Sequence, residues 1–165
     1  DYFSKSSWHG TWAGDGGGSL INQAIHMIDW LVALMPPVSE VKAFASSIAH
    51  PVETEDTVSA AIRFEGGALG GVYSTTASFP GRGKTMEITG TKGTIEFSDE
   101  AIGTERPDQL PFDGHLKCFE AFADSLAGGA PYPVSASEAR KSIALISEIY
   151  RSAGISPNLS ERKNV

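Results

Sequence analysis

The chain has 165 residues, 41% hydrophobic and 20% charged, with a net charge of −7. That length fits one domain (residues 1–165) with a single core, and that composition excludes a disordered or fibrous chain. The acidic balance argues against nucleic acid or an anionic membrane surface as partner, because both need a basic face. The chain opens at Asp1-Tyr2-Phe3 without an initiator Met, which predicts a piece of a longer protein or a processed chain. Residues 1–15 are polar and unusually aromatic, with Tyr2, Phe3, Trp8 and Trp12. Such rings need a surface to lie against.

Next comes GGGSLINQAIHMIDW, residues 16–30. The apolar residues from Ser19 to Met35 go nearly all the way round, predicting one long helix buried on several sides. Asn22, His26 and Asp29 interrupt it at spacings of four and three, which on a regular helix share one face. A buried polar stripe must find partners or a ligand. Two readings stay open on the residues alone: a site centred on His26, or a core histidine satisfied by its neighbours.

Pro36-Pro37 stops that helix. Strands are predicted at Val38–Ala49, Thr57–Phe64, Ala68–Ala77, Thr85–Thr89 and Thr94–Phe97, with antiparallel hairpins through Glu65-Gly66-Gly67 and Gly90-Thr91-Lys92-Gly93. In the second strand Val58, Ala60, Ile62 and Phe64 alternate with Ser59, Ala61 and Arg63, giving one apolar face. A polar loop, with a short strand near Ile102, is expected over residues 98–111. Asp113 can cap a helix to Ala127 with Leu116, Phe119, Phe122, Ala123 and Leu126 on one face, closed by Gly128-Gly129. Ser135-x-x-Glu138 is a capping box for a last helix that turns Ile143, Ile146 and Ile149 inward and ends at Gly154. The sum is an α+β domain, a mostly antiparallel open sheet with helices on one face.

Several chemistries are disfavoured. Gly14 to Ser19 lacks the spacing and the preceding strand of a dinucleotide fingerprint, and Gly83-Lys84-Thr85 reads as a turn. The four histidines show no metal-ligand spacing, so no metal is expected. His115 reads as an exposed helix-start residue. A hydrolase centred on His26 would lack a paired nucleophile. Asn158-Leu159-Ser160 reads as a chance glycosylation triplet. Cys118 is the only cysteine, expected to pack among Leu116, Phe119 and Phe122; it leaves no internal disulfide and favours a cytoplasmic location. The longest apolar run falls short of a membrane span.

Trp8-His9-Gly10-Thr11-Trp12, Asp15-Gly16-Gly17-Gly18 and Asn22-Gln23-Ala24-Ile25-His26-Met27-Ile28-Asp29 together resemble the opening of the C-terminal domain of the glucose-fructose oxidoreductase and inositol dehydrogenase (Gfo/Idh/MocA) family. Phe64 to Ala68 is similar to that family's strand-turn-strand, and Glu87 to Thr94 to its E-I-x-G-x-K-G hairpin. The resemblance implies a dihydrodipicolinate reductase-like α+β domain within an NAD(P)-dependent dehydrogenase acting on a sugar, polyol or related hydroxyl compound. It implies that NAD or NADP lies on an N-terminal Rossmann domain absent from this sequence, as is the family's E-K-P lysine, so this chain alone is expected to bind no dinucleotide and to be inactive. His26 matches the family histidine and Asn22 its Asp/Asn partner, while Asp29, Trp8 and His9 fall where substrate is bound. His9 stands where the family's W-R-G usually has arginine, which grips carboxylates and phosphates as histidine cannot. The free sheet face, with Gly70, Gly71, Ser74, Thr75 and Thr76, is expected to meet a second subunit. The alternative is a non-catalytic binding or dimerisation module of the same fold.

Overall fold

The computed structural model describes residues 3, 6–81, 83–98 and 113–155; the loop expected over 98–111 and the Asn158 triplet therefore fall almost wholly outside them. The elements run α1 (Trp12–Asp15), α2 (Ser19–Asn22), α3 (Ile25–Leu34), β1 (Val38–Ser46), β2 (Thr57–Phe64), β3 (Leu69–Thr75), β4 (Thr85–Gly90), β5 (Gly93–Ser98), α4 (Asp113–Leu126) and α5 (Ala136–Ala153). The chain divides into two compact units, residues 1–82 with 141–165, and residues 83–140. The strands divide with them, into an antiparallel sheet β1-β2-β3 and a separate hairpin β4-β5.

In the first unit, β2 pairs with β1 and β3 on either side, with Ala60 opposite both Ala43 and Val72. Its alternation sends Val58, Ala60, Ile62 and Phe64 into the core with Val41 and Ala43 of β1. Leu20, Ile28, Leu145, Ile146, Ile149 and Tyr150 close over that face. Edge strand β1 is tied to α5 by Ser152, whose hydroxyl donates to the Val41 carbonyl (3.1 Å) and accepts the Ala43 N–H (3.1 Å). That satisfies two edge groups that would otherwise invite another strand.

The opposite sheet face is open. Phe44, Ser59 and Tyr73 form a row across it, with Phe44 83% and Tyr73 70% exposed. Of the small residues expected there, Gly70 and Ser74 lie on the covered side: a side chain at Gly70 would press on Phe64, and Ser74 is buried against Ser19. The period of two, which sends neighbours to opposite faces, leaves only Gly71 and Thr75 of β3's small residues on the open side.

The helices differ from expectation in three ways. The span from Ser19 to Met35 is two helices, because the Ala24 N–H reaches back five residues to the Ser19 carbonyl (3.1 Å) and widens one turn. Only Ile28 of α3 is buried, with Trp30 and Leu34 exposed, so it is covered on one side rather than several. On α5 the inward residues are Ser142, Leu145, Ile146, Ile149 and Tyr150, whereas Ile143 is 44% exposed. Its start is as expected: Ser135 Oγ accepts the Glu138 N–H.

In the second unit, β4-β5 keeps the two-residue loop between Gly90 and Gly93. Helix α4 ends in the expected glycine cap, with Gly128 at φ +86 and the Gly129 N–H donating to the Asp124 carbonyl (2.9 Å). This is a Schellman arrangement. Its apolar stripe of Leu116, Phe119, Phe122 and Leu126 is exposed, and Cys118 is exposed with it rather than packed.

Candidate functional site

The stretch from Trp8 to Asn22 is held by one short loop. Residues 53–56, Glu-Thr-Glu-Asp, lead into β2, and each acid takes a different segment. Glu53 Oε2 accepts the Trp12 N–H (2.8 Å), and the Gly10 carbonyl accepts the N–H groups of Glu53 and Thr54. Asp56, 1% exposed, accepts from the amides of Ile48, Ala49 and His50 and from the Thr57 hydroxyl. Burial pushes its carboxyl up, yet those donors outweigh burial and hold it below the usual carboxylate range.

Glu55 is buried at the start of α2. The N-cap of that helix is Gly18, which has no side chain to satisfy the first amides. Glu55 does so from a distance in sequence: Oε2 accepts the Gly18 N–H (2.8 Å), Oε1 the Leu20 N–H (2.9 Å), and its backbone carbonyl the Ser19 N–H (3.1 Å). The Tyr150 hydroxyl donates to Oε1 (3.0 Å). Burial, and then the adjacent Glu55 carboxylate, push that phenol far above its ordinary range, so it stays a donor. A side chain at Gly18 would overlap the Glu55 carbonyl, which is why the loop must be glycine there.

Asn22, His26 and Asp29 are all exposed, contrary to the expectation of a buried stripe. The widened turn at Ala24 falls between Asn22 and His26 and breaks the regular four-residue spacing; such turns recur at functional sites. Asn22 Nδ2 donates to the Gly17 carbonyl (3.0 Å), which leaves Oδ1 without a partner among the described residues. Asp29 Oδ1 accepts from the buried Ser142 hydroxyl (2.6 Å), not from His26. The His26 ring has no hydrogen-bond partner among the described residues, and its exposure rules out a core histidine in this chain. Trp8, 51% exposed, lies against His9 with ring centroids 3.9 Å apart, and His9 Nδ1 is 2.8 Å from Ser6 Oγ. The structure thus joins Trp8 to His9, while Asn22, His26 and Asp29 make no hydrogen bonds to one another.

The acids Glu53, Glu55 and Asp56 were not singled out from sequence. The available signal was a glycine N-cap with no capping side chain of its own and an acidic run elsewhere to supply one. Their arrangement bears on the cofactor: the amides of Gly18 and Leu20, which a phosphate would need at this glycine turn, already serve Glu55. The glycine turn thus has neither of those two amides free. Among the described residues no three His, Cys, Asp or Glu side chains gather as a metal site, and no helix is long and apolar enough to cross a membrane.

The model of the GFO/IDH/MocA C-terminal domain matches residues 1–96. The chain belongs to that family. No curated protein matches it in sequence. Among solved structures, the WlbA dehydrogenase from Bordetella pertussis in complex with NADH and UDP-GlcNAcA is 30% identical with a TM-score of 0.80, covering 93% of this chain and 50% of that one. WlbA from Chromobacterium violaceum, also with NADH and UDP-GlcNAcA, is 28% identical with a TM-score of 0.79, over 93% and 48% of the two chains. Levoglucosan dehydrogenase in complex with NADH and levoglucosan is 26% identical with a TM-score of 0.71, over 93% and 53%. The chain spans about half the length of these relatives. They are dehydrogenases with NADH bound, and the α+β fold of this chain is that of the GFO/IDH/MocA C-terminal domain.

Proposed function

We propose that this chain is the substrate-facing and subunit-contact domain of an NAD(P)-dependent dehydrogenase that oxidises a hydroxyl group of a sugar, polyol or related compound. The observation that carries the reading is His26: exposed, without a partner among the described residues, and four residues after an Asn22 whose amide is fixed and whose acceptor oxygen is spare. Membership of the family and the ligands of its relatives, UDP-GlcNAcA and levoglucosan, support the substrate class.

In this reading an imidazole nitrogen of His26 takes the hydroxyl proton as the carbon is oxidised. Asn22 Oδ1 accepts a hydrogen bond from the substrate or from the His26 ring and sets its orientation. Asp29, fixed by Ser142, and the Trp8–His9 pair contact the rest of the substrate. The dinucleotide, for which the glycine triplet of this chain offers no phosphate seat, belongs to a separate Rossmann domain. The open sheet face of Phe44 and Tyr73 joins two subunits.

The test is His26→Ala in the complete enzyme. Turnover should fall by about two to four orders of magnitude, with the melting temperature held, because the ring is exposed. Asn22→Ala should cost less, since it removes an orienting group and no proton carrier. A fully active His26→Ala enzyme would sink the assignment and leave the non-catalytic module as the better description.

A further inference from the structure

We propose that Glu55 is a positioning residue for Asn22, acting through the Gly17–Leu20 turn; this rests on the reading of Asn22 and His26 given above. The connection is an unbroken chain of hydrogen bonds. Three successive amides, those of Gly18, Ser19 and Leu20, end on Glu55, two on its carboxylate and one on its carbonyl. Asn22 is bonded to the same turn twice: its backbone N–H donates to the Gly18 carbonyl (3.0 Å) and its side-chain amide to the Gly17 carbonyl (3.0 Å). Gly17 is itself buried against the Tyr150 hydroxyl, the group that donates to Glu55. Whatever displaces the Glu55 carboxylate therefore moves the carbonyl on which the Asn22 side chain hangs.

The chemistry requires a carboxylate. Two amides and a phenol converge on two oxygens, and an ionised carboxyl offers acceptors alone. Glutamine at this place keeps the shape but turns an NH2 toward a donor, whichever way it lies. Alanine leaves all three donors unanswered. Glu55 is 3% exposed, and its carboxylate is taken up by the Gly18 and Leu20 amides and the Tyr150 hydroxyl, so its effect on the reaction runs through the turn that carries Asn22.

The test is a double-mutant cycle in the complete dehydrogenase, with turnover measured per folded molecule and melting temperature alongside. Glu55→Gln should lower kcat by about tenfold to a hundredfold, the scale expected when an orienting group is displaced by an ångström. In an Asn22→Ala background the same substitution should change kcat by less than about twofold, while its effect on melting temperature persists. A structural role alone moves the melting temperature equally in both backgrounds and leaves kcat per folded molecule untouched; that result overturns the inference, as does an equal loss of kcat in both. Should Glu55→Gln fail to fold, Tyr150→Phe removes one of the three donors, keeps both amide bonds, and is run through the same cycle, with a smaller kcat loss that again vanishes beside Asn22→Ala. Asn22→Ala by itself tells the two failures apart: if it leaves turnover unchanged, the site reading has failed and this inference falls with it. If Asn22→Ala lowers turnover and the Glu55 effect does not depend on it, only the inference has failed.

Discussion

Asp56→Asn should destabilise this chain more than its near-identical shape suggests, and the loss should fade in acid. Asp56 Oδ1 accepts from Ile48 N–H (2.9 Å) and the Thr57 hydroxyl (2.9 Å); Oδ2 accepts from Ala49 N–H (2.8 Å) and His50 N–H (2.9 Å). In either orientation the new amide points its NH2 at two donors. Unpairing two such groups costs about 1–3 kcal/mol each. Residues 48–50 are largely exposed, so water can answer part of the loss, and the lower end, about 2–3 kcal/mol, is the expected value. Because the native carboxyl sits below its ordinary range, its contribution is fully present above the unfolded pKa of about 3.9 and is lost as pH falls through the lower native value. Urea unfolding of both proteins at pH 7, 5 and below 4 measures the difference directly. It should be level between pH 5 and 7 and shrink below about pH 4. A difference under about 0.5 kcal/mol at pH 7, the size of an ordinary surface change, would refute the bonding argument, and one that stays constant into acid would refute the charge argument.

Calorimetry of this chain alone with NAD or NADP should detect no binding, because the glycine amides are committed to Glu55; a micromolar dissociation constant would show the turn to be available after all. Self-association through the open sheet face should appear in light scattering and be abolished by Tyr73→Lys, at the β3 end of the Phe44–Ser59–Tyr73 row; a strict monomer at high concentration counts against it. Ile146→Ala, at a position 1% exposed, should cost about 2–5 kcal/mol by opening a cavity, whereas Ile143→Ala, 44% exposed, should cost far less. Equal losses on chemical denaturation would mean that the face of α5 is misassigned.

What could be read from the sequence follows the range of the forces involved. Strand β2 is found end to end, because alternation and the Glu65-Gly66-Gly67 turn are local facts, and its burial follows from them. The caps at Ser135 and Gly128-Gly129 are local too, and both form. The break at Ala24 carried no proline or other local punctuation. It arises where α2 is pinned at its start by Glu55 and α3 must lay Ile28 on the core, and neither constraint is visible within the segment. Hydrophobicity alone turns Ile143 inward, but the face of α5 is set by Leu145, Ile149 and Tyr150, with Ser142 inward because Asp29 meets its hydroxyl. In the candidate site, Trp8, His9, Asn22, His26 and Asp29 are legible from pattern and resemblance, while Glu53 and Glu55 lie more than thirty residues from Trp12, Gly18 and Leu20, whose backbone amides they accept.

The division between exposed and buried polar groups bears on how such a site can change. Asn22, His26 and Asp29 face outward and their side chains make at most one hydrogen bond each to the scaffold, so they can be exchanged without unpairing several buried groups. Glu55 and Asp56 each answer three or more donors from inside, so substitution there leaves several unpaired at once. A chain built this way can alter its exposed polar residues while the buried acids keep the same turns in place. On the function proposed above, specificity and stability rest on different residues, and a variant at one set should leave the other measurement almost where it was. Glu55 is the exception the geometry provides for, since the turn it pins is the one that carries Asn22.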